Sequence, residues 1–316
     1  MKVLITGISG FVGKYLVEEL VNEQPDIEIN GTYFDDKELP SLGDLREKIE
    51  LHSCNIGDPQ QVQEVLAKVQ PDQIYHLAAM SSGAEEDRQK VFAVNVDGTL
   101  NILQACKKLD KKVKILLAST GYVYGSSDNA RPFSECGKIK PMGIYAESKT
   151  EMEKKALGNK PKNVELVISR AFNHTGPGQT PNFVIPAFAQ QIADIEAAKN
   201  DPTILVGNLE ATRDFFDVRD AVRAYRLIMN DGKPGEIYNM ASNEAIKISD
   251  LLDKLLTLST KKISIKQDKE RLRPSDLAYS VGDYSKIKSE LGWSPAISLD
   301  QTLLDVLEYW RQQALL

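Results

Sequence analysis

The sequence predicts an α/β protein in which a doubly wound parallel sheet is joined by a smaller, discontinuous second lobe. Three observations indicate this fold. An apolar strand at the N-terminus runs into a glycine-rich turn and a helix. Strand-like apolar runs then alternate with helical patterns, which is typical of parallel sheets with right-handed crossovers. Finally, a chain of 316 residues suits one large domain with an additional lobe better than a single small core.

The clearest local pattern is the N-terminal stretch MKVLITGISGFVG. Its apolar run Val3-Leu4-Ile5 is typical of a strand buried on both faces. Gly7, Gly10 and Gly13 follow in a G-x-x-G-x-x-G arrangement, with a helical pattern directly behind them. Glycine permits a tight turn and a close approach of a ligand, and a helix N-terminus attracts anions. The stretch therefore predicts the pyrophosphate-binding turn of a Rossmann-type sheet, although a strand–turn–helix without a ligand has the same outline.

The composition, with 42% hydrophobic and 27% charged residues, is ordinary for a soluble globular protein. A net charge of -6 and a pI of about 5.3 disfavour a nucleic-acid binder. The three cysteines, Cys54, Cys106 and Cys136, form no C-x-x-C pair, which predicts a reducing compartment. We see no signal peptide and no membrane span. We therefore expect a cytoplasmic protein that binds neither metal, membrane nor nucleic acid.

Further strands and helices follow the glycine turn in alternation. Strands are predicted at Ile27–Tyr33, Leu51–Ile56, Gln73–Ala79, Val113–Ala118 and Val164–Ser169, and helices at Pro59–Val69, Val94–Leu103 and Tyr145–Leu157. Residues 35–48 show no clear period and are predicted to be a connecting loop. The small residues at the end of the fourth strand, Leu77 to Ala79, would let a cofactor lie against it.

The end of the second predicted strand bears on the choice of cofactor. In such sheets a carboxylate at this point binds the ribose 2′-hydroxyl of NAD, whereas an arginine favours the 2′-phosphate of NADP. This chain has Asp35 and Asp36 and no arginine. The two carboxylates favour NADH over NADPH, but they fit a solvated loop equally well.

Candidate chemistry lies at the end of the fifth strand and in the helix after it. Thr120 ends the strand, and Tyr145 and Lys149 are four residues apart, so that they share a helix face. A phenol has an ordinary pKa of about 10. A nearby ammonium lowers that pKa, so that the tyrosine could exchange a proton with a carbonyl or alcohol near neutral pH. Thr120 could hydrogen-bond the same oxygen. The Y-x-x-x-K spacing also arises by chance on many helices.

The segments TGISGFVG, HLAAMSS, NVDGTLNIL, ASTGYVYG and YAESK extend the pattern along the chain. In order and spacing they resemble the extended short-chain dehydrogenases/reductases that act on nucleotide sugars. The resemblance implies that Thr120, Tyr145 and Lys149 are catalytic. It implies NADH or NADPH as cofactor, held by Gly7, Gly10, Phe11, Val12, Gly13, Asp35, Asn55, Ile56, Leu77, Ala78, Ala79, Tyr145 and Lys149. The family commonly has aspartate where Asn55 stands.

The resemblance also assigns the substrate side. Val206 to Phe215 is close to a stretch shared by GDP-mannose 4,6-dehydratases and GDP-4-keto-6-deoxy-mannose reductases, and Arg213 within it suits a diphosphate. The segment Arg271 to Asp276 resembles one that closes over the nucleotide, although the family more often has glutamate where Asp276 stands. The implied substrate-binding residues are Ser81, Asn173, Val184, Arg213, Arg273 and Asp276.

One departure separates two reactions of this family. Related dehydratases carry a carboxylate just after the strand-end threonine, because elimination removes a proton at C5 and protonates the hydroxyl that leaves C6. This chain has Gly121 and Tyr122 instead. We therefore expect reduction of the C4 ketone of GDP-4-keto-6-deoxy-D-mannose to a GDP-6-deoxyhexose. GDP-D-rhamnose is favoured over the talose epimer, a choice set by the face of hydride attack.

Other functions share much of this pattern. A GDP-mannose 4,6-dehydratase would need an acid that the sequence does not show, and a nucleotide-sugar 4-epimerase would use the same three residues with tightly bound NAD. A non-catalytic scaffold that senses NAD(P) is the alternative outside enzymes. We expect a dinucleotide-binding domain at 1–171 with 216–245 returning to it, a substrate-binding lobe mainly from 172–215 and 246–316, and a homodimer through the helices of Asn95 and Tyr145.

Overall fold

The computed structural model describes residues 1–80, 87–272 and 277–316. Its strands are β1 (Lys2–Thr6), β2 (Glu28–Tyr33), β3 (Ile49–Ser53), β4 (Gln73–His76), β5 (Val113–Thr120), β6 (Val164–Ala171), β7 (Asn173–Thr175), β8 (Thr203–Val206), β9 (Thr212–Arg213), β10 (Phe215–Asp217), β11 (Ile237–Met240), β12 (Ile246–Lys247), β13 (Ser264–Gln267) and β14 (Tyr279–Ser280).

Its helices are α1 (Phe11–Glu23), α2 (Pro59–Val69), α3 (Arg88–Phe92), α4 (Gly98–Cys106), α5 (Ile144–Gly158), α6 (Val184–Glu196), α7 (Val218–Asp231), α8 (Ile248–Thr257), α9 (Ser285–Leu291) and α10 (Leu299–Ala314). Among the residues described, no helix has the length and apolar character needed to span a membrane.

The central sheet has seven parallel strands in the order β11-β6-β5-β4-β1-β2-β3. The predicted doubly wound, Rossmann-type fold is therefore confirmed. The chain adds β2 and β3 on one side of β1 and then returns to add β4, β5 and β6 on the other side. In such sheets ligands bind at this switch point, in the crevice outside the carboxyl ends of the strands. The glycine turn follows β1 and residues 77–79 follow β4, so both lie at that crevice.

Two hydrophobic cores cover the faces of the sheet. Leu16 and Leu20 of α1 pack with Ile228 of α7 on one face. Leu66 of α2 and Met152 of α5 pack on the other. A third core joins α6, α8 and α10 with β8. The described part of the chain also forms three smaller sheets: β7 with β10, β8 with β13, and β9 between β12 and β14.

The prediction of a connecting loop at residues 35–48 is wrong. The structure has a kinked 3₁₀ stretch at Asp36–Lys48. At its start the Asp35 carboxylate accepts a hydrogen bond of 3.0 Å from the backbone N–H of Lys37. Leu39 and Leu42 are buried in the sheet core, so this stretch is anchored by apolar contacts that its polar composition conceals.

The expected start of a helix at Val94 is also wrong. Helical backbone begins with α3 at Arg88 and continues through a π turn at Ala93–Asp97 into α4. Asp87 caps α3, because its carboxylate accepts from the backbone N–H groups of Gln89 and Lys90. An aspartate followed by helical backbone is the usual signal of a helix start.

Candidate active site

The glycine turn leaves no room for larger side chains. Gly7 has a φ of +68°, and a Cβ there would lie 2.8 Å from the Cα of Ala78. A Cβ on Gly13 would lie 2.3 Å from the carbonyl oxygen of Ile8. Gly10 is the N-cap of α1 and offers no side chain to its first N–H groups, which belong to Phe11, Val12 and Gly13. Such a terminus binds anions, so this turn fits the pyrophosphate of a dinucleotide.

The end of β4 forms the other wall of the crevice. Leu77, Ala78 and Ala79 are partly buried. The backbone N–H of Ala78 donates to the hydroxyl of Thr6 at 3.2 Å. That contact brings β4 beside the strand that precedes the glycine turn.

Of the residues predicted to lie near the adenosine, Asp35 and Asn55 are exposed, whereas Ile56 is buried. Asp35 is exposed and already caps the 3₁₀ stretch. Asn55 is exposed, and its side-chain oxygen accepts from the backbone N–H of Gly57 at 2.9 Å. Ile56 is buried in the core that contains α2 and α4. The two polar side chains therefore have local partners within the protein.

The structure brings the three predicted catalytic residues together. Thr120 is buried at the end of β5, and Tyr145 and Lys149 lie in the first half of α5. Hydrogen bonding to Thr120 lowers the pKa of the Tyr145 phenol, although burial has the larger, opposite effect. The Lys149 ammonium donates to the carbonyl oxygen of Ala118 at 2.8 Å. Strand end and helix are thus joined at the site.

The sequence predicts a lowered pKa for Tyr145, but the net shift in the described structure has the opposite sign. Burial raises the pKa of Tyr145 above its ordinary value, and the phenols of Tyr225 and Tyr122 raise it further. Burial also lowers the pKa of Lys149 to about 8, against the effect of the Glu153 carboxylate. The phenol is therefore protonated at neutral pH, which is the form that can donate a proton to a carbonyl oxygen.

The predicted substrate residue Asn173 starts β7 next to the catalytic group. Its amide nitrogen donates to the carbonyl oxygen of Asp214 at 2.8 Å, and its amide oxygen accepts from the Tyr122 hydroxyl at 2.9 Å. Tyr122 lies two residues after Thr120 and influences the pKa of Tyr145. The Tyr122 phenol therefore links Asn173 to the end of β5, where Thr120 lies.

Arg213 is buried, and its guanidinium hydrogen-bonds backbone carbonyl groups rather than facing solvent. Its guanidinium donates to the carbonyl oxygens of Thr212 at 3.0 Å and Leu277 at 2.6 Å. Val184 begins α6 and packs against the third core. Ser81, Arg273 and Asp276, the remaining predicted substrate residues, lie outside the described residues.

Sequence reasoning missed three side chains around the site. The first is Tyr122, whose position two residues after Thr120 was a signal for a place in the site. Glu153 is four residues beyond Lys149, and that spacing could have placed it on the same helix face. Tyr15 of α1 donates to the carbonyl oxygen of Pro177 at 2.8 Å and so ties the loop after β7 to α1. Nothing local in the sequence indicates this last contact.

Comparison with known proteins identifies the family. Residues 4–306 match the family described as GDP-mannose 4,6 dehydratase. The chain belongs to this family of extended short-chain dehydrogenases/reductases. GDP-6-deoxy-D-mannose reductase of Pseudomonas aeruginosa is 30% identical over 99% of this chain and 98% of its own length. GDP-6-deoxy-D-talose 4-dehydrogenase of Aggregatibacter actinomycetemcomitans is 30% identical over 92% of each chain.

A solved structure gives the same result for the fold. RMD from Pseudomonas aeruginosa, complexed with NADPH, superposes with a TM-score of 0.84 at 29% identity, covering 99% of both chains. As a member of this extended short-chain dehydrogenase/reductase family, the chain is an NAD(P)-dependent enzyme of the GDP-sugar dehydratase and reductase type. The glycine turn and the open N-terminus of α1 fit the pyrophosphate of its nicotinamide cofactor.

Proposed function

We propose that the protein reduces the C4 ketone of GDP-4-dehydro-6-deoxy-D-mannose with NAD(P)H and forms GDP-D-rhamnose. The observation that carries this proposal is the group at the end of β5. There a proton donor, Tyr145, lies beside Thr120, while the two residues after Thr120 are glycine and tyrosine. Reduction needs only hydride and one proton, whereas elimination needs an additional acid and base.

Each residue of the group has a defined task in the proposal. The bound nicotinamide supplies the hydride. Thr120 and Tyr145 hydrogen-bond the substrate's carbonyl oxygen, and the phenol donates its proton to that oxygen. Lys149 supplies positive charge beside the phenolate that remains, and it would hold the ribose of a bound nicotinamide cofactor. Asn173, held by Tyr122, would position the sugar nucleotide, and Arg213 would bind the diphosphate.

The assay for this function follows NADH and NADPH oxidation separately with purified protein and GDP-4-dehydro-6-deoxy-D-mannose. We expect oxidation whose rate falls by about 10²–10⁴-fold in Tyr145→Phe, and a product that co-migrates with GDP-D-rhamnose rather than its talose epimer. Asp35 and Asp36 support NADH, while the Pseudomonas aeruginosa relative was solved with NADPH, so the two rates rank the cofactors. Lack of oxidation with either cofactor would contradict the proposal.

Two further assays separate the alternatives. GDP-mannose with NAD tests for a 4,6-dehydratase, and NAD retained through purification would favour a 4-epimerase. Cofactor binding without turnover of any sugar nucleotide would favour a sensing scaffold. The proposed assembly is a homodimer through the helices of Asn95 and Tyr145, which light scattering on the purified protein tests. The proposed two-part division of the chain and the cytoplasmic location stay predictions.

A further inference from the structure

A buried ion pair between Glu153 and Arg170 begins one turn of α5 after Lys149. Glu153 is 5% exposed and Arg170 is 4% exposed. Arg170 donates to the Glu153 carboxylate from Nε at 3.0 Å and from Nη2 at 2.6 Å. Glu153 follows Lys149 by one turn of α5, so the two side chains lie on the same face of the helix. Neither member of the pair has a role in the proposed function.

The same carboxylate connects α5 to the strand that carries Thr120. Ser119, the residue before Thr120, donates its hydroxyl hydrogen bond to Glu153 Oε1. One residue earlier, the carbonyl oxygen of Ala118 accepts from the Lys149 ammonium at 2.8 Å. Two successive residues of β5 are therefore held by two successive turns of α5. These contacts fix the strand end relative to the helix that bears Tyr145.

Arg170 is in turn held from its other side. Its Nη1 donates to the Tyr124 hydroxyl at 2.9 Å, and that hydroxyl donates to Asn239 Oδ1 at 2.8 Å. The guanidinium carbon lies 4.9 Å from the centre of the Tyr124 ring. A charge buried without partners is strongly unfavourable, and this network gives Arg170 partners on both sides.

Glu153 is the anionic group that acts on Lys149 among the described residues. On α5 the other titratable neighbour is Tyr145, which is neutral at pH 7 because burial raises its pKa. From β4, His76 faces the ammonium, and burial lowers the pKa of His76 to about 3, so it is also neutral. From β6, Arg170 forms an ion pair with Glu153. Burial lowers the pKa of Lys149, and Glu153 is the group that raises it.

We propose that Glu153 is a positioning residue: it locks α5 to the end of β5 and places a buried negative charge one helical turn from Lys149, on the helix that bears Tyr145. The consequence for turnover rests on the proposed function, because only there does the charge of Lys149 assist a reaction. The effect on the protonation of Lys149 does not depend on any substrate.

The direct test is an NMR titration of the protein labelled with ¹³C at lysine Cε, with the Lys149 signal assigned by its loss in Lys149→Arg. In Glu153→Gln, which keeps the shape and removes the charge, the Lys149 midpoint should fall by about one pH unit. In Ser119→Ala, which removes one hydrogen bond and keeps the charge, the midpoint should stay. An unchanged midpoint in a folded Glu153→Gln protein would overturn the proposal.

A second variant protects the test against misfolding. Glu153→Met combined with Arg170→Met replaces the ion pair by apolar side chains, a change that buried pairs often tolerate. It also removes the anion beside Lys149, so its midpoint should again lie below that of the unaltered protein. A midpoint equal to that of the unaltered protein counts against Glu153 here as well.

The turnover readout separates this inference from the proposed function. In the pH profile of kcat/KM, the alkaline limb should move to lower pH in Glu153→Gln but keep its place in Ser119→Ala, whose kcat alone should fall. A purely structural role for Glu153 predicts loss of rate with no movement of the limb. If the unaltered protein does not reduce the keto sugar, the proposed function fails, while the titration still decides the role of Glu153.

Discussion

A methyl group on Gly121 would lie 2.8 Å from three ring atoms of Phe172. The ring cannot easily move aside. It is 3% exposed, it stacks on Tyr124 with 6.2 Å between ring centres, and a Cβ on Gly282 would meet it at 2.4 Å. The space that a side chain at position 121 would need is therefore filled by Phe172. The absence of a carboxylate directly after Thr120 is built into the packing of the site.

The first prediction concerns this fit. Gly121→Asp should destabilise the protein by about 1–3 kcal/mol, because overpacking forces side chains and backbone to shift. The added carboxylate should not confer elimination on GDP-mannose with NAD. Urea unfolding gives the free energy, and Gly158→Ala, where an added Cβ meets no atom within 4 Å, is the control. A Gly121→Asp protein of unaltered stability would show that Phe172 yields.

A second prediction concerns the cofactor turn. Gly7→Ala should weaken NADPH binding at least about tenfold, because the new methyl group would push the turn away from Ala78. Gly292→Ala is the matched control, since Gly292 has a φ of +69°, close to the +68° of Gly7, but open space around it. Both variants should lose stability from backbone strain. Titration of protein fluorescence with NADPH should show weaker binding for Gly7→Ala only; equal affinities would refute the close-approach argument.

A third prediction separates proton transfer from binding. Tyr145→Phe removes the proton donor, and loss of general acid catalysis typically lowers kcat by about 10²–10⁴-fold. The Kd for NADPH should stay within about threefold, because the ring and its packing remain. Steady-state kinetics and a fluorescence titration on the same preparation test both statements. Full activity of Tyr145→Phe would mean that another group supplies the proton.

A fourth prediction uses the second phenol of the site. Tyr122→Phe removes the hydroxyl that donates to Asn173 Oδ1 at 2.9 Å. An unpaired polar group destabilises an interaction by about 1–3 kcal/mol, so KM for the keto sugar should rise about 5- to 150-fold. The kcat should change little, since Tyr145 still donates the proton. A fall in kcat with constant KM would instead place Tyr122 in proton transfer.

Local patterns explain what could be predicted from the sequence. The glycine turn is encoded within thirteen residues, and Tyr145 and Lys149 by a spacing of four, so both can be proposed from local sequence alone. The strands of the central sheet are apolar runs, which made their alternation with helices visible. The 3₁₀ stretch at Asp36–Lys48 was missed because scattered leucines such as Leu39 and Leu42, rather than a regular apolar pattern, anchor it.

Long-range contacts and burial explain the rest. Arg213 donates to the carbonyl of Leu277, 64 residues away, and Arg170 pairs with Glu153, 17 residues away. No local sequence pattern predicts either contact. The raised pKa of Tyr145 has the same origin, because it arises from how deeply the folded chain buries the phenol.

The last prediction concerns stability and pH at the support beneath Asn173. Asp214 is fully buried and accepts hydrogen bonds from the backbone N–H groups of Ser242 at 2.7 Å, Asn243 at 3.0 Å and Gly282 at 3.2 Å. Burial raises the pKa of Asp214 from 3.8 to about 6, against the effect of these hydrogen bonds. The folded protein therefore holds this proton more tightly than the unfolded chain. The stability that this provides is complete below about pH 4 and is lost as the pH rises through 6.

Asp214→Asn removes the titration, although its amide also faces N–H donors and lowers stability at every pH. The free-energy difference between the unaltered protein and Asp214→Asn should therefore shrink by about 1–3 kcal/mol from pH 4 to pH 7. Glu196→Gln is a control of opposite sign: hydrogen bonding to Arg311 lowers the pKa of Glu196 from 4.5 to about 2. Its contribution is present above pH 4.5 and is lost as the pH falls toward 2. Urea unfolding at a series of pH values tests both, and a difference for Asp214→Asn that stays constant between pH 4 and 7 would show that this carboxyl does not titrate there.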